Sequence, residues 1–306
     1  MNWARQTLGW LLAWLPGSGA RQARALPPPG SPQAAARCGP WALAWASHAG
    51  PHHLNQDCAG ARWCPVDGGH GLAAAVADGV THGAAGDVAA AALVQHWLQG
   101  PRPRQRHSSF LGAAEAAVAT ALRRLTREPG AATGAACWLQ PDGNGWATRV
   151  GDCRLLRVLP PLCNTPAGTW CAQPLLPDQT FANLWSDGAT PAAPAADDGE
   201  QPARMVGVGS LGEPEWLPLS LAAGSVLLLV SDGLHAVLSD ADWHAALSTH
   251  LGGDAHALAG PTPPQQGLLA LAELLIQTAI QRGSEDDITV LAVMRCTPQA
   301  QEEPRP

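Results

Sequence analysis

Apolar residues along this chain follow two periods, one of strands and one of helices. Leu72-Ala-Ala-Ala-Val-Ala77 and Val226-Leu-Leu-Leu-Val230 are continuous apolar runs, as expected of strands buried on both faces. Trp41-Ala-Leu-Ala-Trp-Ala-Ser47 alternates large and small residues and reads as a first strand. Further strands are expected near Ala61–Cys64 and Asp287–Met294, and three more at 133–140, 146–150 and 154–159, separated by the turns at Asp142-Gly-Asn-Gly145 and Gly151-Asp152. Helical spacing marks 86–98, 110–127, 240–247 and 267–281, with Ser239 as an N-cap. Helices come in pairs between groups of strands. That order predicts an α+β fold, with antiparallel sheets inside and helices outside, over a doubly wound one.

The segments between fall into distinct classes. Residues 1–40 end in Leu26-Pro-Pro-Pro-Gly-Ser-Pro32 and read as a disordered leader with a stiff linker. Within it, Leu8–Leu15 resembles a secretory signal only faintly, and no apolar run is long enough to span a bilayer. The domain is expected over 41–296, followed by a polar tail at 297–306. Residues 160–203 are rich in proline, alanine and acids and read as an irregular flap.

Composition narrows the classes. With 306 residues and 46% hydrophobic ones, the chain can bury a sizeable core. Acids outnumber bases 25 to 18, and no basic block occurs, which argues against nucleic acid as a partner. The eight cysteines form no Cys-x-x-Cys pair, so a structural zinc site is not expected, and a reducing, cytoplasmic compartment is.

Both apolar runs lead to a carboxylate followed by glycine, Asp78-Gly79 and, after Ser231, Asp232-Gly233. The other Asp-Gly pairs, at Asp67, Asp142, Asp187 and Asp198, read as ordinary turns. Asp57, Asp78, Asp152, Asp232 and Asp286 all fall in loops or at strand ends. Gathered together, such anions need a cation, and carboxylate oxygen suits hard ions such as Mn²⁺ or Mg²⁺. Two ions about 3.5–4 Å apart can clamp a displacement at phosphorus without a Ser, Cys or His nucleophile. No nucleophile elbow or Walker loop occurs.

Six motifs in order make the chain resemble the PP2C-type (PPM) metal-dependent protein serine/threonine phosphatases, in their bacterial single-domain form. They are Asn55-Gln-Asp57; Val76-Ala-Asp-Gly79; Gly86-Asp-Val-Ala89; Gly151-Asp-Cys-Arg154; Leu229-Val-Ser-Asp-Gly-Leu234; and Ser284-Glu-Asp-Asp-Ile-Thr-Val290. The resemblance implies a four-layer αββα sandwich with two metal ions, Mn²⁺ or Mg²⁺, at one end. Asp78 would bridge them; Asp57 and the Gly79 carbonyl would serve one, Asp232 and Asp286 the other. Asp152 matches the position linked to a third, weaker metal. A bridging water would attack phosphoserine or phosphothreonine. Implied partners are phosphoprotein substrates in a Ser/Thr kinase pathway, met by a monomer.

The chain departs from the family at three places. Asp287 stands where the family usually has Asn. His52 replaces an arginine that grips phosphate, and histidine lacks the guanidinium fork. His82 is displaced by one position from the family's histidine and is a candidate general acid. A pseudophosphatase that binds phosphoproteins without turnover, and a hydrolase of small phosphoesters, are the rival readings.

Overall fold

The computed structural model describes residues 28–52, 54–66, 69–80, 84–100, 107–160, 170–186, 201–209, 215–251 and 263–296. Eleven strands lie in these residues: β1 (Gln33–Cys38), β2 (Trp41–His48), β3 (Cys58–Val66), β4 (Gly69–Gly79), β5 (Ala132–Leu139), β6 (Asn144–Val150), β7 (Arg154–Leu159), β8 (Cys171–Pro174), β9 (Glu215–Ser220), β10 (Val226–Val230) and β11 (Ile288–Arg295). The helices are α1 (Gly86–Trp97), α2 (His107–Leu125), α3 (Phe181–Ser186), α4 (Asp232–His235), α5 (Asp240–Leu251) and α6 (Pro264–Gln281). One sheet runs β1-β2-β11-β10-β7-β8 and the other β3-β4-β5-β6-β9, with antiparallel pairing throughout.

Strand alternation sorts the core into three layers. On β2, Trp41, Leu43 and Trp45 point into the space between the sheets. Ala42, Ala44 and Ala46 point the other way, toward α5 and α6. Small residues on that face let α6 approach the sheet closely, while the tryptophans fill the gap between the sheets. On β4, Leu72, Ala74 and Val76 join the inter-sheet layer, and Ala73, Ala75 and Ala77 lie under α1. The result is helices, sheet, sheet, helices, the expected αββα order.

Three strands depart from the expected pattern. β1 lies inside the stretch read as leader, so the sheet begins before Trp41 and pairs Gln33 with Ala46. β8 lies inside the stretch read as flap and pairs with β7. β9 carries Pro218 and pairs only with β6. All three sit at sheet edges, where short, proline-bearing strands are tolerated because one side of the ladder needs no donor.

Ser239 caps α5 as expected. Its Oγ accepts the Asp242 N–H at 3.3 Å, and Asp242 Oδ2 accepts the Ser239 N–H at 3.0 Å, closing a capping box. Arg282, just past α6, donates to Asp242 at 2.6 Å and joins the two helices. Arg282 and Ser239 hold the Asp242 carboxyl down at about 2, below its value near 3.9 in an unfolded chain. This contribution is therefore complete above pH 4 and is lost as pH falls toward 2. Asp242→Asn should lower the melting temperature at pH 7 and flatten its decline between pH 4 and 2, as followed by circular dichroism.

Candidate active site

The site grows out of the same alternation. Five strands of the inter-sheet layer, carried one or two steps past their apolar part, present a polar residue to the end of the sandwich. Val76 on β4 leads to Asp78, Ala59 on β3 back to Asp57, and Leu229 on β10 to Ser231. Leu291 on β11 leads back to Thr289, and Trp45 on β2 to Ser47. These residues meet as parity requires. Ser231 Oγ donates to Asp57 Oδ2 at 2.7 Å, and the Thr289 N–H donates to Ser231 Oγ at 2.9 Å. Ser47 and Thr289 share a hydroxyl hydrogen bond of 2.7 Å, and Asn55 Nδ2 donates to Ser47 Oγ at 2.8 Å.

Four of the sequence-marked acids converge on the fifth, Asp78. Burial raises its carboxyl well above the ordinary carboxylate range, and Asp232, Asp57, Asp152 and Asp286 raise it further by repulsion. Burial lifts Asp57 to about 8, opposed by the Ser231 hydroxyl. Burial lifts Asp152 to about 7, with Asp232 adding to the rise. Asp232 is raised by burial and then by Asp286. The buried oxygens Asp57 Oδ1, Asp152 Oδ1 and Asp232 Oδ1 have no hydrogen-bond partner. Among the described residues no three His, Cys, Asp or Glu side chains already surround a common point. Asp78 and Asp232 stand instead within hydrogen-bonding reach of each other, which a shared proton permits.

The two marked glycines allow backbone to pack on backbone. A Cβ on Gly79 would strike the Gly86 carbonyl, and one on Gly233 would strike the Asp287 carbonyl. Gly233 belongs to the first turn of α4, so the chain after Asp232 enters a short helix and not a simple turn.

Asp287 is separated from Asp286 by what it binds. Asp287 Oδ1 accepts the Gly50 N–H at 2.8 Å and Oδ2 the Gln56 N–H at 2.6 Å, and the residue is 2% exposed. Asp286 remains partly exposed beside the other acids. His52 is exposed in the turn after β2. His82 lies outside the described residues.

Motif reading singles out neither His235 nor Asp178. His235 on α4 lies 3.1 Å from the Asp152 carbonyl through Nε2, which must donate because a carbonyl only accepts. Burial and the nearby Arg154 lower it to about 4, so the ring is neutral at pH 7. Asp178 binds both Arg149, at 3.1 Å, and Arg154, at 2.6 Å. The Gly151 N–H donates to Gln179 Oε1 at 2.9 Å, and the Gln179 N–H to the Gly151 carbonyl at 3.0 Å. Residues 175–180 of the expected flap are thus fastened to the turn that carries Asp152. No pattern in the sequence near Asp178 announces this, because its partners lie more than 20 residues away.

No protein-family model matches the chain, and no curated protein matches it by sequence. Solved structures do match. A bacterial serine phosphatase aligns with a TM-score of 0.60 at 16% identity, covering 84% of this chain and 99% of that one. The PPM Ser-Thr phosphatase MsPP from Mycobacterium smegmatis, in complex with cacodylate, aligns at 0.58 and 23% identity, covering 83% and 98%. The catalytic domain of serine threonine protein phosphatase PstP, in complex with two manganese ions, aligns at 0.56 and 21% identity, covering 84% and 99%. The chain has the PPM phosphatase fold. Within the PPM fold, the acids described above occupy one end of the two sheets.

Proposed function

We propose that the chain is a metal-dependent phosphatase acting on phosphoserine and phosphothreonine in proteins. One observation carries the reading: three buried carboxylate oxygens on separate chain segments, Asp57 Oδ1, Asp152 Oδ1 and Asp232 Oδ1, have no partner. Ionising buried, unpaired carboxyls is costly, and a divalent cation removes the cost. The donor set is all hard oxygen, which suits Mn²⁺ or Mg²⁺. The fold's resemblance to a phosphatase in complex with two manganese ions supports the same choice.

Asp78, at the centre, would be shared between two ions, with Asp57 and the Gly79 carbonyl on one and Asp232 and Asp286 on the other. Asp152 would serve a third. When bound, such ions would activate water and screen the phosphate's charge. The chain's own contribution is positional. Ser231 fixes Asp57 through one oxygen and leaves the other without a protein partner. Asp178 and Gln179 hold the Asp152 turn, and neutral His235 supports its carbonyl. His52 would meet the phosphate, with one donor where a guanidinium offers several.

The substrates would be phosphoproteins of a Ser/Thr kinase pathway. No helix of the described residues is long and apolar enough to cross a membrane. The described cysteines are free thiols, which fits a reducing cytoplasm.

The test is hydrolysis of a phosphothreonine peptide by the purified chain, with Mn²⁺ and with chelator. Turnover with Mn²⁺ only is expected. Metal-dependent binding of the peptide without turnover would favour the pseudophosphatase reading, which the exposed His52 in the arginine position also favours.

A further inference from the structure

We infer that Asp287 is a positioning residue that sets the spacing between the two halves of the metal site. It is not itself a ligand. The inference rests on the two-ion reading above and goes beyond it in naming what holds the ligands apart.

Three contacts of one residue support this. The Asp287 side chain holds the loop that leads to Asp57, through the Gly50 N–H at 2.8 Å and the Gln56 N–H at 2.6 Å. Its backbone N–H donates to Asp286 Oδ1 at 2.8 Å and so orients that carboxylate. Its carbonyl lies against Gly233, so closely that any Cβ there would collide, and this fixes the turn that carries Asp232. Asp57, Asp232 and Asp286 come from three distant parts of the chain, and Asp287 touches the backbone or side chain of each part. Gly50 is itself wedged against the Glu285–Asp286 peptide, where a Cβ would lie 2.6 Å from the Glu285 carbonyl oxygen. The loop before Asp57 therefore has one seat.

The side-chain type matters. A carboxylate accepts with both oxygens, so it satisfies two backbone N–H groups at once. An amide keeps one oxygen and turns an NH₂ group toward the other N–H, donor against donor. Alanine keeps neither bond and leaves both N–H groups without partners, the Gly50 one buried. Outer partners of metal ligands commonly change affinity by about 10–100-fold when removed.

The experiment is Mn²⁺ binding by calorimetry to wild type, Asp287→Asn and Asp287→Ala, with melting temperatures measured in chelator. Asp287→Ala should bind Mn²⁺ about 10–100-fold more weakly, and Asp287→Asn should fall between it and wild type. If Asp287→Ala does not fold, Asp287→Asn decides alone, with a several-fold loss expected. A variant that melts earlier yet binds Mn²⁺ as wild type does would overturn the positioning role and leave the two-ion reading standing. Failure of wild type itself to bind Mn²⁺ would overturn the two-ion reading, and the inference with it.

Discussion

Asp232→Asn should abolish Mn²⁺-dependent turnover of a phosphothreonine peptide and also make the metal-free protein more stable. The two effects share one cause. Above about pH 8, where Asp57 and Asp152 have lost their protons, Asp232 repels Asp78, Asp57 and Asp152 in a buried site, and the amide removes that repulsion. It also removes an anionic ligand, so Mn²⁺ affinity should fall by more than the roughly 100-fold seen when outer partners are lost. Sites built for function commonly hold such tension at the expense of stability. Peptide hydrolysis and thermal unfolding in chelator measure the two halves separately. Near-wild-type turnover in Asp232→Asn would remove Asp232 from the ion-binding set. A lower melting temperature in chelator would mean that the repulsion is not what dominates there.

The second large effect concerns pH. Asp57 and Asp152 have folded values of about 8 and about 7 without metal, against roughly 3.9 in an unfolded chain. Their protons are bound in the folded state and released on unfolding. Their stabilising contribution is complete below pH 4 and is lost as pH rises toward 8. His235 acts in the opposite sense, but only between about 4 and its unfolded value near 6.5. The clean window is therefore pH 6.5 to 8.5. Across it the chelated protein should lose several degrees of melting temperature, since about 1 kcal/mol corresponds to 2–4 °C in a domain of this size. Added Mn²⁺ should reverse the slope, because ions bind the deprotonated acids and stabilise the folded state by mass action. A flat or rising curve in chelator would mean that these carboxyls are not buried together as described.

Much of this architecture is legible in the sequence, for a definite reason. Inner strands such as β4 and β10 carry continuous apolar runs free of proline, so the acids they lead to, Asp78 and Asp232, announce themselves. Edge strands carry no such signal. Gln33-Ala-Ala-Ala-Arg-Cys38 has no large apolar residue, and β9 contains Pro218. Asp286 and Asp287 look alike as neighbours in sequence, and only the loop at Gly50 and Gln56, more than 230 residues away, separates their roles. Asp178 is invisible for the same reason, since its meaning lies in Arg149 and Arg154. The stretch read as flap is in part a strand and an anchored turn, because its backbone finds donors and acceptors on β7 and at Gly151.

The position of β11 bears on how the protein is made. The last strand of the described residues lies between β2 and β10, pairing Ile288 with His48 and Val290 with Val230. Until it is synthesised, the six-stranded sheet has a gap in its middle, and β2 and β10 have no neighbour to join them. Pairings so far apart in sequence form slowly, because a long loop must close first. On the ribosome, the five-stranded sheet and its helices can pack early, while the acids from the two sheets come together only after residue 295 has emerged. A chain cut short before Ile288 would therefore expose unpaired strand edges and be a target for aggregation or proteolysis.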